Sequence, residues 1–124
     1  MQSVNPTTEE VIAQYSELDD VHVENKIALA QKAFENWKQT TFEERKTKML
    51  DLAAILKEKK REIAQIATLE MGKPIVAAIA EVEKCALLCD YYAENAENIL
   101  KEEYIKSDAE TSFVRFDPIG IVLA

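Results

Sequence analysis

The sequence predicts a mostly α-helical segment that opens on a β-hairpin and closes on strands. Apolar residues recur at steps of three and four from Val23 to Leu100. A turn-forming stretch, Asn5-Pro6-Thr7-Thr8, divides the start into two short extended pieces. The last residues, Pro118 to Ala124, form an uninterrupted apolar run with β-branched Ile119, Ile121 and Val122.

Residues 2–16 are expected to form the hairpin, with Glu10 to Tyr15 as its second strand. Asp19 or Asp20 can then cap a first helix whose stripe runs Val23, Ile27, Ala30, Phe34 and Trp37, ending near Gln39. Thr41 and Glu44 are spaced as a capping box, in which a hydroxyl and a carboxylate each satisfy a backbone N–H of the first turn. They open a second helix with Met49, Leu52, Ala53 and Leu56 on its buried side, and the basic run Lys57 to Arg61 is read as a solvated turn.

A third helix carries Ile63, Ile66, Ala67 and Leu69. It is closed by Gly72, the residue type best suited to the left-handed position after a helix, with Pro74 two residues on. Pro74 suits the first turn of the longest helix, striped by Ile75, Ile79, Val82, Ala86, Cys89, Ala93, Ala96 and Leu100. A second row of Cys85, Leu88, Tyr92 and Ile99 widens that face, which implies more than one packing neighbour. Glu103 to Lys106 and Thr111 to Asp117 read as strands around a polar turn at Ser107 to Glu110. The run from Pro118 is expected to be a strand buried on both faces, with its ladder partners supplied by chain outside these residues. On that ground the chain is expected to be the opening piece of a larger protein.

Composition narrows the function. The 124 residues are 48% hydrophobic and 31% charged, the balance of a globular segment. A net charge of −8 opposes phosphate backbones and anionic membranes, so neither nucleic acid nor a membrane is an expected partner. The start has neither a basic region nor an apolar core of a signal peptide, no stretch is apolar enough to span a bilayer, and two cysteines make no disulfide framework. The expected compartment is the cytoplasm. Only two glycines, Gly72 and Gly120, are present, too few for a loop whose backbone must wrap a phosphate.

Few side chains invite chemistry. Cys85 and Cys89 lie four apart on one helix, a spacing that can present two thiolates to a metal, yet a closed zinc site needs two more ligands and the single histidine, His22, is distant. Both thiols are read as core, without a base to activate them. Glu70, Glu81 and Glu83 are read as solvated carboxylates, and Phe34 and Trp37 as core anchors. No catalytic, cofactor-binding or metal-binding residue is assigned.

Taken in order, the residues resemble the aldehyde dehydrogenase superfamily. The likeness rests on Asn5 to Ile12, Ala33 to Trp37, Phe42 to Arg45, Thr68 to Pro74, Ala80 to Val82, Tyr91 to Glu94 and Asp117 to Val122, with Thr68-Leu69-Glu70-Met71-Gly72-Lys73-Pro74 the most specific. Leu69 to Pro74 and Glu81 to Ala86 look most like the succinate-semialdehyde branch. Glu9 departs from the pattern, standing where the family often has a turn glycine.

The resemblance implies an α/β parent fold with a Rossmann-like cofactor domain. Residues 1–101 would be the helical N-terminal part of that domain, 102–117 strands of the oligomerisation arm, and 118–124 the first strand entering the nucleotide-binding sheet. It implies oxidation of an aldehyde through a thiohemiacetal on cysteine, hydride transfer to NAD or NADP, thioester hydrolysis aided by glutamate, and an oxyanion held by asparagine. None of those side chains maps onto this sequence, and neither Cys85 nor Cys89 matches the nucleophile motif. The chain alone is therefore expected to be inactive and to hold no dinucleotide, its partners being the remainder of the enzyme and further copies in a dimer or tetramer. The other reading is a small helical assembly or binding module without catalysis.

Overall fold

The computed structural model describes residues 1–123. Strands β1 (Gln2–Val4) and β2 (Val11–Gln14) pair antiparallel. The register slips between Ser3, which faces Ala13, and Val4, which faces Val11. Asn5 builds the turn: its Oδ1 accepts from the Thr7 N–H at 2.9 Å, and its carbonyl accepts from the Glu9 N–H at 2.8 Å. Glu9 takes φ 61°, the left-handed conformation for which glycine is the usual residue, so this turn holds a non-glycine backbone in an uncommon conformation.

Four helices follow: α1 (Asp20–Trp37), α2 (Phe42–Glu58), α3 (Lys60–Met71) and α4 (Ile75–Ile99). Asp19 is the cap of α1, accepting from the His22 N–H at 2.9 Å. The capping box of α2 is complete, with Thr41 Oγ1 accepting from the Glu44 N–H and Glu44 Oε2 accepting from the Thr41 N–H at 2.7 Å. Gly72 ends α3 at φ 67°, and Pro74 stands immediately before α4.

α2 and α3 both lie along α4, and the core sits where they meet it. It is built from small residues: Ala53, Ala64, Ala78, Val82, Ala86 and Cys89 are buried, and Leu56, Ile63, Ala67, Ile75 and Ile79 close around Ala64, Ala78 and Val82. Alanine at these positions lets helix backbones approach closely, with the larger side chains filling the flanks. The hairpin docks on the α3–α4 corner, where Ser3 Oγ donates to Glu70 at 2.7 Å.

The structure corrects five expectations. Helix α1 forms, yet none of its residues is buried, and Trp37 and Ile27 stay about half exposed, because no other described element covers that stripe. The basic run is not a turn. Only Lys59 separates α2 from α3, and Lys57 and Lys60 reach across to α4. The second row of α4 is exposed, Cys85 included, so Cys85 is not a core thiol. Residues 118–123 form no strand, and Ile119, Val122 and Leu123 are solvated. A β-branched run becomes a strand only in a ladder, and no described strand lies beside it. Ala124 lies outside the described residues. The preceding strands β3 (Glu103–Tyr104) and β4 (Phe113–Val114) do pair antiparallel, shorter than the sequence predicts.

Candidate functional site

A cleft of about 460 Å³ lies between α2 and α4, with Trp37 of α1 also lining it. Phe42, Met49, Leu52, Tyr92 and Leu100 give it apolar walls. At its rim the Arg45 guanidinium stacks 4.4 Å above the Phe42 ring. Lys46 Nζ donates to Glu94 Oε2 at 3.1 Å, and this hydrogen bond, followed by the charge of Glu94, raises the Lys46 pKa. Glu43, Lys48 and Glu97 also line the cleft. Apolar walls below a rim of mixed acidic and basic side chains suit an apolar side chain or segment.

The sequence candidates are scattered. Cys89 is buried in the α4 interface while Cys85 is exposed, so the spacing of four does not present both thiols to one point. His22 sits at the start of α1 with Nδ1 2.6 Å from Asp19 Oδ1, a helix-capping contact. Asp19 is held below the usual carboxyl range, first by the His22 N–H and then by the His22 ring. Glu70 accepts from Ser3, Glu81 pairs with Lys73, and Glu83 pairs with Lys60. Each of the three carboxylates is thus tied into the scaffold. Among the described residues no group of three or more His, Cys, Asp or Glu is placed to hold a metal, and no helix is long and apolar enough to cross a membrane.

Two of the four helix starts are filled by the chain's own side chains. Asp19 fills the N-terminus of α1, and Thr41 and Glu44 fill that of α2, placing negative charge where a phosphate would have to sit. Gly72 turns its open face to Pro6, and Gly120 belongs to no helix start. The starts of α3 and α4 carry no side-chain cap, and no chemical step is assigned to a cofactor on these residues.

The arrangement that sequence reasoning missed is a row of ion pairs between α4 and its two neighbours. Lys46 pairs with Glu94, Lys57 with Asp90 at 2.6 Å, and Lys60 with Glu83. Glu83, Asp90 and Glu94 are seven and four residues apart, hence on one side of α4. That acidic spacing was readable beforehand.

Residues 1–124 match the aldehyde dehydrogenase family throughout. The chain belongs to the aldehyde dehydrogenase family. It is 39% identical over 122 residues to a protein of Synechocystis named probable succinate-semialdehyde dehydrogenase, NADP(+)-dependent, covering 98% of this chain and 27% of that one. To the NAD(P)+ succinate semialdehyde dehydrogenase Sad of Escherichia coli it is 38% identical, covering 98% of this chain and 26% of that one. Among solved structures, the succinic semialdehyde dehydrogenase of Streptococcus pyogenes in complex with NADP+ superposes with a TM-score of 0.84 at 29% identity, over 90% of this chain and 25% of that one. A betaine aldehyde dehydrogenase of Staphylococcus aureus, solved with NAD+, gives 0.84 at 30% identity over 95% of this chain and 24% of that one. The chain therefore spans about a quarter of the length of the aldehyde dehydrogenases it matches. The four-helix arrangement with its two short strand pairs is the fold these enzymes have over the matching stretch, within an α/β parent.

Proposed function

We propose that these residues are the N-terminal part of an NAD(P)-dependent aldehyde dehydrogenase that converts succinate semialdehyde to the carboxylic acid. The observation that carries the substrate class is the match, over 98% of this chain, to the succinate semialdehyde dehydrogenase Sad of Escherichia coli and to the Synechocystis protein named probable succinate-semialdehyde dehydrogenase. Within that enzyme residues 1–101 belong to the cofactor domain, 102–117 to the oligomerisation arm and 118–124 to the first strand of the nucleotide-binding sheet.

Their role is architectural. The capping contacts and the α4 ion pairs orient the helices, and the exposed stripe of α1, the second row of α4 and the apolar run from Ile119 are the surfaces through which this segment meets the rest of a cytoplasmic, homo-oligomeric enzyme. The thiol nucleophile, the thioester-hydrolysing glutamate, the oxyanion-holding asparagine and the dinucleotide site are assigned to chain beyond these 124 residues, so the 124-residue chain by itself is inactive. Between NAD and NADP it makes no choice. Family membership weighs against a free-standing helical assembly module.

A chimera tests this. With residues 1–124 replacing the matching segment of the Escherichia coli protein, succinate-semialdehyde-dependent reduction of NAD(P)+ is expected, and none from the 124-residue chain alone. Aldehyde oxidation by the isolated chain, or a folded chimera without activity, overturns the proposal.

A further inference from the structure

We draw no further inference here: the strongest candidate, the exposed apolar stripe of α1 at Val23, Ile27 and Trp37 with the cleft between α2 and α4 that Trp37 lines, carries nothing because nothing in the structure shows what covers it.

Discussion

Gly72 and Pro6 approach so closely that a Cβ on Gly72 would stand 3.2 Å from Pro6 Cγ, while Gly72 holds φ +67°. Two constraints coincide there. The left-handed backbone ends α3, and the missing side chain lets the hairpin settle against the corner that leads into α4. Gly72→Ala is expected to cost about 1–2 kcal/mol from the backbone alone, with crowding against Pro6 in addition. Adding Pro6→Ala should recover the crowding part only. Urea unfolding of the single and double variants separates the two, and a Gly72→Ala chain as stable as the parent would refute both.

Thr41→Ala removes a hydroxyl that accepts from the Glu44 N–H, an otherwise unpaired donor at the start of α2. The expected loss is about 1 kcal/mol. Thr47 provides the contrast, because its Oγ1 donates to the Glu43 carbonyl from inside the helix, where alanine is the better helix former. Thr47→Ala should be neutral or slightly stabilising in the same thermal unfolding measurement. Equal effects at the two positions would show that the box contributes nothing.

Acid should loosen both helix starts. Glu44 is held below the ordinary carboxyl range by the Thr41 N–H and then its hydroxyl, and Asp19 by the His22 N–H and then its ring. A carboxyl whose pKa is lower folded than unfolded contributes fully above the unfolded value and loses that contribution as pH falls through the folded one. The loss should begin near pH about 4 and continue below it. Helix content followed by circular dichroism during acid titration is expected to fall in that window. Glu44→Gln, which keeps an acceptor but cannot titrate there, should flatten the curve.

The two cysteines differ in access, Cys85 facing solvent and Cys89 being 8% exposed. One thiol per chain should react at once with an aromatic disulfide reagent and the second only on unfolding. Cys85→Ser should abolish the fast phase and leave the slow one. Two fast thiols would mean that α4 separates from α2 in solution.

What could be read from the sequence divides along a physical line. The capping box at Thr41, the stop at Gly72 and Pro74, and the stripe through Val82, Ala86 and Cys89 were legible because each depends on a few residues near in sequence. Ala64 and Ala78 escaped notice, since an apolar stripe is read by its large side chains while close helix contact selects small ones. Apolarity predicts burial of α1, of Cys85 and of the run from Pro118, yet it states only a demand for a neighbour, which these described residues do not supply. For the candidate site, ordered motifs such as Thr68 to Pro74 pointed to the family, whereas the α4 ion pairs required knowing that α2 and α3 lie on the same helix.

That difference between demand and supply is measurable at Val82 and Ile27, two stripe residues of similar apparent importance. Val82 is 7% exposed and packs with Ala64 and Ala78, whereas Ile27 is 54% exposed on a helix that buries none of its residues. In the 124-residue chain Val82→Ala should cost about 2 kcal/mol, the loss of two buried methyl-sized groups with a residual cavity, and Ile27→Ala less than about 0.5 kcal/mol. In the chimera the cost at Ile27 is expected to rise to that at Val82, because the α1 stripe then gains a neighbour and truncation leaves a void instead of a smaller wetted surface. Denaturant unfolding of both variants in both backgrounds reads this directly. If Ile27→Ala stays nearly neutral in the chimera, the stripe is a solvated face in the whole enzyme and the architectural role assigned to α1 fails.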